Sequence, residues 1–332
     1  MKVSAVLSFL LFAVMANAAY VTERQYQREF SRFVKTYSKK YATDDFFNRY
    51  EIFKANLDLI ELHNSQAGIT STMGVNAFTD MTSVEFASKM NGYKPAAKKS
   101  NKVAKKANTM KDVPTSWDWR TKGAVTPVKD QAQCGSCWSF SATGSIEGAW
   151  FLAKGNLTSL SEQQLMDCSH PEGDDSCEGG LMDDAFQFVI DNKGICSEAS
   201  YPYKAIDEKC KKTCKSVATI SSFVDVDFDQ SNPNNDTALM AALQMGPVSI
   251  AIEADQPIFQ MYTGGVITGP SCGTNLDHGV LLVGYGTDSK LGDYWIVKNS
   301  WGQAWGIESG YVRLARGQNE CGMNSAASYP VV

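Results

Sequence analysis

Apolar positions in the N-terminal third of the chain follow a helical pattern. They recur at steps of three and four, which places them on one face of a helix, first at Tyr26, Phe30, Phe33 and Tyr37, then at Phe46, Tyr50, Phe53, Leu57 and Ile60. The next stretch, Lys94 to Asp112, is rich in Lys, Ala and Asn and has little to bury. We expect an exposed tether that is open to proteolysis.

The pattern changes after Pro114. Helical spacing continues from Cys137 to a stop at Gly155, and residues 181–194 form a second candidate helix that stops at Gly194. From about Val248 the pattern turns to short β-type runs bounded by glycines, at residues 248–254, 278–286, 293–300 and 310–316. Helices followed by strands in one unit predict an α+β fold of two lobes with a cleft between them.

The N-terminus has the pattern of an export signal. Lys2 precedes an apolar run from Val6 to Val14, and residues 16–18 form a small-x-small cleavage site. A membrane anchor would need about 20 apolar residues, so we expect residues 1–18 to be a cleaved signal peptide and no membrane span to follow. The 332 residues, 43% of them hydrophobic, are enough for one or two packed domains in the secretory pathway.

Charge divides the remaining chain in two. Residues 19–112 carry 16 Lys and Arg against 10 Asp and Glu, a net of +6, whereas residues 113–332 carry 14 against 26, a net of −12. Opposite signs predict that the first segment lies on the second. We therefore expect a leader at 19–112 and a main domain at 113–332.

Nine cysteines cannot all pair, so one thiol is left over as a linker between chains or as a reactive group. Cys137 begins a predicted helix, where the helix N-terminus lowers a thiol pKa. His278 stands at the mouth of an apolar strand, while the other two histidines lie in the leader and in an acidic loop. Asn299 ends the next strand, and its side chain can hold an imidazole ring under Trp301.

Several motifs identify a family. Residues 134–138, "CGSCW", are the local signature of papain and cathepsin cysteine proteases, and His278 and Asn299 follow Cys137 by 141 and 162 residues. The leader matches the interrupted helical motif of cathepsin L-type propeptides, with Asp45 in place of the usual Glu, and residues 74–80, "GVNAFTD", match the second propeptide motif. From about Tyr20 to Val332 the chain resembles papain-like cysteine proteases, most closely the cathepsin L branch. The leader positions that match are Asp45, Arg49, Ile52, Phe53, Asn56, Ile60 and Asn64.

The resemblance implies a papain-like two-lobe fold, with a helical left lobe and a β-barrel-like right lobe, preceded by a helical propeptide domain. It implies Cys137 as nucleophile, His278 as general acid and base, Asn299 as the residue that orients the imidazole, and Gln131 as an oxyanion donor. The expected function is a cysteine endopeptidase made as an acid-activated zymogen, in which protonation of carboxylates weakens the attraction between leader and main domain.

The resemblance also implies a substrate site that is apolar or small around the second residue before the cut. We therefore expect Leu, Phe or similar side chains there rather than Arg. Gly179 and Gly180 would offer backbone hydrogen bonds to an extended peptide. The expected substrate-binding residues are Gly179, Gly180, Leu181, Met182, Ala251, Leu276, Asp277, Gly279, Trp301 and Ala326.

The resemblance implies three disulfides, Cys134–Cys177, Cys168–Cys210 and Cys272–Cys321. Cys196 and Cys214 then remain as a fourth pair, although Cys210 and Cys214 are close enough in sequence to exchange roles. The expected partners are peptide and protein substrates, the chain's own propeptide and cystatin-type inhibitors. We expect a monomer in the lysosome, in an acidic vacuole or outside the cell, without metal, cofactor or nucleic acid.

Three alternatives compete with this interpretation. A redox C-x-x-C pair would need Cys134 and Cys137 free for each other in a thioredoxin-like context, and a metal site would need a second such pair. A protease-shaped protein that only binds or stores ligands would usually have lost the nucleophile. The tripeptides at Asn156 and Asn235 are candidate glycosylation sites that are short enough to occur by chance.

Overall fold

The computed structural model describes residues 22–95, 113–212, 214–269 and 271–332. The expected signal peptide at residues 1–18 and most of the expected tether lie outside the described residues. Of the helices described, none is both long and apolar enough to cross a membrane.

The leader folds as a small helical unit. A capping box begins the first helix, because the Thr22 side chain accepts from the Gln25 N–H while the Gln25 side chain accepts from the Thr22 N–H. The two predicted apolar stripes face each other, and Phe30, Phe33, Tyr50 and Phe53 form a buried cluster between the first two helices. The elements are α1 Glu23–Thr36, α2 Phe46–Asn64, β1 Ser71–Met73 and α3 Ser83–Met90.

An ion-pair network joins α2 to α3 within the leader. Arg49 makes a two-pronged contact with Glu85, with Nη1–Oε2 at 2.6 Å and Nη2–Oε1 at 2.9 Å, and its Nε donates to Asp45 at 2.8 Å. Bidentate pairs of this kind are stronger than single ones. The hydrogen bonds from Arg49, helped by Lys89, lower the pKa of Glu85 to about 2 although partial burial opposes this.

The left lobe is built around one central helix. That helix begins at Cys137 and ends before Gly155, which takes the left-handed conformation (φ 75°) that suits glycine. It is buried continuously as far as Gly148, so it forms the middle of the molecule rather than a surface. The elements are α4 Cys137–Lys154, α5 Glu162–Cys168, a 3₁₀ turn at Ser176–Glu178, α6 Met182–Asp191, β3 Ile195–Cys196 and β4 Ser216–Ala218.

The right lobe is an antiparallel sheet in the order β10-β9-β8-β6-β11-β5, with β2 beside β8. Within the described residues β10 and β5 do not pair, so the sheet curves as an open sheet and does not close into a barrel. The two-lobed α+β architecture is as predicted. The elements are β2 Trp117–Asp118, β5 Ser222–Asp225, α7 Thr237–Leu243, β6 Val248–Ile252, α8 Pro257–Gln260, β7 Tyr262–Gly265, β8 His278–Asp288, β9 Gly292–Lys298, β10 Tyr311–Ala315, a 3₁₀ turn at Glu320–Gly322 and β11 Ala327–Val331.

Disulfides account for eight of the nine cysteines, all of which are described. The pairs are Cys134–Cys177, Cys168–Cys210, Cys196–Cys214 and Cys272–Cys321. Cys137 is the free cysteine and is buried. Because Cys134 is bridged to Cys177, the two cysteines of the C-x-x-C stretch cannot act as a redox pair.

The leader docks on the right lobe mainly through apolar contacts and backbone hydrogen bonds. Strand β1 pairs with β7, with Ser71 opposite Gly265. The Gln260 side chain donates to the carbonyl of Phe78 at 2.9 Å. Five buried leader side chains join the right-lobe core, namely Ile60, Met73, Met81, Phe86 and Met90. The ion pair Lys94–Asp175 is largely exposed on both sides and contributes little.

Candidate active site

The free thiol lies at the first turn of α4, at the floor of the cleft. Cys137 has no exposed surface, and its Sγ accepts two backbone hydrogen bonds, from Gly279 on the right lobe and from Gly92 of the leader, both at 3.3 Å. The N-terminal end of an 18-residue helix stabilises negative charge. This position therefore suits a sulfur that carries negative charge as a thiolate.

His278 lies on the right lobe, next to the Gly279 whose N–H contacts this sulfur. It is the first residue of β8, next to Gly279, and it is fully buried. Its Nε2 is 2.8 Å from the Asn299 side-chain oxygen, and its Nδ1 has no hydrogen-bond partner among the described residues. Asn299 thus fixes one ring nitrogen and leaves the other for proton transfer. The Trp301 ring covers the imidazole at a centroid distance of 4.6 Å.

The side chain of Gln131 is held by three hydrogen bonds. Its Oε1 accepts from Ser300 Oγ at 2.6 Å, which turns the amide nitrogen toward the cleft. That nitrogen donates to the carbonyls of Cys134 at 2.9 Å and of Met90 in the leader at 2.7 Å. The group expected to stabilise an oxyanion is therefore occupied by a leader carbonyl.

Burial under the leader keeps the thiol and the imidazole neutral. Loss of water raises the pKa of Cys137 to about 11, although the hydrogen bonds from Gly279 and Gly92 oppose this. The same loss of water lowers the pKa of His278 to about 4, against the effect of its bond to Asn299. At neutral pH the pair is a thiol and an imidazole rather than a thiolate and an imidazolium.

Residues 91–94 of the leader fill the cleft as an extended segment. Gly180 N–H donates to the Gly92 carbonyl at 2.8 Å, and Lys94 N–H donates to the Gly180 carbonyl at 3.2 Å. A Cβ on Gly92 would lie 1.7 Å from the carbonyl oxygen of Gly135, so only glycine allows this approach. The Tyr93 ring packs against the left-lobe core.

The expected substrate-binding residues lie around this segment. Met182 and Ala251 belong to the core cluster that Tyr93 contacts, and Leu276 and Ala326 pack against the same cluster. Leu181 is half-buried; its N–H donates to Asp174 at 2.8 Å, and it is not part of that cluster.

Asp277 and the two predicted glycines also contact the leader or its immediate neighbours. The carbonyl of Asp277 accepts from the Tyr93 N–H at 2.9 Å, and its carboxylate accepts from the Asn91 side chain at 2.9 Å. Burial raises the pKa of Asp277 to about 7. Gly179, next to Gly180, takes a φ of 114°, which favours glycine.

A buried charged cluster lies behind the site and joins the lobes. Lys129 Nζ contacts Glu147 at 3.0 Å and Glu162 at 2.6 Å. Lys298, the residue immediately before Asn299, donates from its Nζ to the Thr126 hydroxyl at 3.0 Å. Burial lowers the pKa of Lys298 to about 8. Because buried charges need fixed partners, this cluster holds the end of β9, and therefore Asn299, against α4.

Sequence reasoning missed some residues that shape the site. Ser300 donates a hydrogen bond to Gln131. In the leader, Asn91 contacts Asp277 and Gly92 contacts Cys137. Asp183 follows Met182, beside the predicted specificity pocket. The sequence offered one indication of the roles of Ser300 and Asp183, namely that each stands next to a predicted site residue, Asn299 or Met182. Neither neighbour carries a motif of its own.

Comparison with known proteins identifies the family of this chain. A family model described as "Papain family cysteine protease" matches residues 113–331, and one described as "Cathepsin propeptide inhibitor domain (I29)" matches residues 30–86. Procathepsin L of Mus musculus is 45% identical over 97% of this chain and 98% of its own length. Cathepsin L2 of Homo sapiens is 43% identical over the full length of both chains.

Solved structures of precursors share the fold. The digestive procathepsin L 3 of Tenebrio molitor larval midgut has a TM-score of 0.83 at 42% identity, over 92% of this chain and 99% of that one. A recombinant stem bromelain precursor has a TM-score of 0.82 at 39% identity over the same shares. The chain therefore belongs to the papain family of cysteine proteases, as a cathepsin L-like zymogen that carries its own propeptide inhibitor domain.

Proposed function

We propose that the mature domain is an endopeptidase that cuts peptide bonds with Cys137, His278, Asn299 and Gln131. The observation that carries the proposal is the position of the one unbridged thiol, at a helix N-terminus and 3.3 Å from the backbone N–H that follows His278. A thiol and an imidazole supplied from opposite lobes, with the imidazole held by a third group, match the arrangement of an activated nucleophile.

The chemistry follows from these positions. His278 takes the proton of the Cys137 thiol, and the thiolate attacks the peptide carbonyl carbon. The carbonyl oxygen becomes an oxyanion that receives hydrogen bonds from Gln131 Nε2 and the Cys137 N–H. His278 gives its proton to the departing amine as the C–N bond breaks and a thioester forms. Water then attacks the thioester with His278 as base, which releases the acid and restores the thiol. Asn299 keeps the ring oriented throughout.

The propeptide would silence this chemistry in three ways. The Gly92 N–H donates a hydrogen bond to the sulfur, and the Met90 carbonyl accepts one from the Gln131 amide. Residues 91–94 would also exclude water from Cys137 and His278. We propose that acid weakens the propeptide domain and that cleavage between about Asn108 and Val113 separates residues 19–112 from 113–332. The Arg49–Glu85 contact supports this step, because its contribution to stability falls as pH drops from about 4.5 toward the lowered Glu85 pKa of about 2.

The preference of the enzyme follows from what Tyr93 contacts. An aromatic side chain of the propeptide already packs against the cluster that holds Met182 and Ala251, next to Leu276 and Ala326. We propose that these residues form the pocket for the second residue before the cut. That pocket would favour aromatic and aliphatic side chains, because burying one contributes roughly 1.5–3 kcal/mol.

The remaining proposals concern the setting of the enzyme. We propose a monomer made in the secretory pathway, delivered to the lysosome, to an acidic vacuole or outside the cell, that cuts protein substrates. The cleft that holds residues 91–94 is the place where cystatin-type inhibitors would compete.

The test is a cleavage profile of the acid-matured protein on a peptide library, beside the variant C137A. We expect the second residue before each cut to be Leu, Phe or another apolar residue, and we expect no cuts by the C137A protein. The variant S139A, two residues along the same helix, serves as a control and is expected to keep its activity. Turnover by folded C137A would contradict the assignment of the nucleophile.

A further inference from the structure

A tyrosine of the left lobe contacts both ends of the segment that carries the two proposed oxyanion donors, the Gln131 amide and the Cys137 N–H. The Tyr203 hydroxyl donates to the Gln131 backbone carbonyl at 2.7 Å, and it lies 2.7 Å from the Ser136 hydroxyl. Ser136 immediately precedes Cys137 and, like Gln131, has no exposed surface. One phenol therefore ties together the backbone on both sides of the oxyanion site.

The directions of these hydrogen bonds follow from the chemistry of the groups. A backbone carbonyl can only accept, so the Tyr203 proton is committed to Gln131. The Ser136 hydroxyl must then donate to Tyr203. Ser136 is also the N-cap residue of α4, where a serine side chain usually accepts from a backbone N–H of the first turn, but it makes no such bond among the described residues. Its hydroxyl serves the contact with Tyr203 instead.

Other contacts hold Tyr203 in place, so its hydroxyl can position the segment rather than follow it. The Tyr203 N–H donates to the Glu198 carboxylate at 2.8 Å, and the N–H of the next residue, Lys204, donates to the Gln163 side chain at 2.8 Å. The phenol ring meets Phe140 of α4 edge-on at 4.9 Å. None of these contacts uses the hydroxyl, so phenylalanine at this position would keep all of them.

We propose that Tyr203 is a positioning residue that sets the placement of Gln131 Nε2 relative to the Cys137 N–H. The inference rests on the proposed function, which makes these two groups the oxyanion donors. Such donors stabilise the transition state only when they are aimed at the place where the oxyanion forms. Without the hydroxyl the Gln131 carbonyl loses its tether, but both donors remain. The loss in rate should therefore be smaller than the roughly hundredfold or greater loss that follows from deleting a donor.

The experiment compares Y203F with the unmodified enzyme after acid maturation. On a peptide with Leu at the second position before the cut, we expect kcat/KM to fall about tenfold, through kcat rather than KM. The rate at which iodoacetamide alkylates Cys137 should stay within about twofold, because displacement of iodide by the thiolate forms no oxyanion. A general disturbance of the site would slow both reactions in parallel, and that result would overturn the proposal.

Y201F is the matched control. Tyr201 lies two residues earlier in the same loop and is buried, and its hydroxyl donates to Asp167 of α5 at 2.6 Å. We expect Y201F to lower the midpoint of thermal unfolding and to leave kcat/KM unchanged. A fall in kcat/KM of the same size as in Y203F would show that the loss of any nearby hydroxyl has this effect, and the role of Tyr203 would then be refuted.

A second variant tests the contact from its other side. S136A removes the donor to Tyr203 but leaves the bond to Gln131, so we expect kcat/KM to fall about threefold with alkylation unchanged. In the Y203F background S136A should have no further effect, because both changes break the same link; additive losses would contradict this. If Y203F fails to fold, S136A decides alone, and an unchanged kcat/KM would overturn the proposal.

The outcomes separate the two proposals. If the unmodified, matured enzyme cuts no peptide, the proposed function is wrong. If the unmodified enzyme and Y203F cut peptides at equal rates, the proposed function stands and only the role of Tyr203 fails.

Discussion

The indole ring of Trp301 lies 4.6 Å from the imidazole ring of His278, centroid to centroid, at an interplanar angle of 32°. On another side the same indole receives Phe86 of the propeptide edge-on at 4.9 Å. One side chain therefore shields the hydrogen bond between His278 and Asn299 from water and also anchors the inhibitor domain.

Replacing Trp301 by Phe should weaken both functions. A smaller ring admits water to the imidazole and its amide partner, so we expect kcat/KM of the matured enzyme to fall about tenfold, equivalent to one hydrogen bond of about 1.4 kcal/mol. The unfolding midpoint of the precursor should fall as well. W150F, thirteen residues beyond Cys137 on α4, is the control. A kcat/KM within twofold of the unmodified enzyme would contradict the shielding role.

The thiol of the precursor should react slowly with alkylating reagents. With its pKa raised to about 11, only about one molecule in ten thousand carries a thiolate at pH 7. We expect iodoacetamide to label the intact precursor at least about a hundredfold more slowly than the matured enzyme, with the rate measured by intact mass. Equal rates in the two forms would mean that the propeptide does not control ionisation of Cys137.

Replacing Gly92 by Ala should release the inhibition. The added Cβ would lie 1.7 Å from the Gly135 carbonyl oxygen, so the segment cannot seat over Cys137. We expect the G92A precursor to hydrolyse a peptide substrate before any processing occurs. V84A is the control, because the Val84 side chain on α3 of the leader is 82% exposed. An inactive, folded G92A precursor would show that the close approach is dispensable.

The contact between Arg49 and Glu85 should govern stability in acid. The pKa of Glu85 lies at about 2 in the folded leader against an ordinary value of 4.5. A lowered carboxyl pKa stabilises the fold above about pH 4.5, and this contribution is lost as pH falls from there toward 2.

The E85Q precursor should therefore unfold at a lower temperature at pH 6 and should mature at a higher pH. The difference from the unmodified chain should shrink as pH falls below about 4.5. E61Q, an exposed change on α2, is the control. Thermal melts across pH and the pH of half-maximal processing are the measurements, and an unchanged processing pH would count against this trigger.

Sequence periodicity predicted the elements whose ends carry a local signal. The helix from Cys137 ends before Gly155 as expected, because a left-handed glycine terminates it. Helix α6 ends at Asp191, three residues before the predicted stop at Gly194, since Lys193 already takes a positive φ of 59°. Local rules therefore set the elements but not every boundary.

Strand β11 could not be predicted from local pattern, because it contains Pro330 and proline is rare inside sheets. The structure accommodates this proline through the register. Strand β6 pairs with β11 only at Ala327 and Ser328, so Pro330 lies where β5 alone pairs with the strand. That arrangement depends on strands separated by about 80 to 100 residues, which no local window contains.

In the site, too, some residues could be predicted from the sequence and others depend on long-range contacts. Cys137, His278, Asn299 and Gln131 could be named from residue type, order and family motif. Asp183 could not, because its contact with Ser328 joins residues 145 positions apart in the chain. The opposite net charges predicted that the leader lies on the main domain, but apolar side chains and backbone hydrogen bonds provide most of the contacts described.

Strand β1 covers one edge of the Tyr262–Gly265 strand in the precursor. Release of the propeptide removes that partner and leaves backbone N–H and C=O groups of β7 facing water. Unpaired edges of this kind recruit other extended chains. Activation would thus give the mature enzyme an exposed strand edge outside its catalytic cleft. Its tendency to self-associate should therefore be greater than that of its precursor.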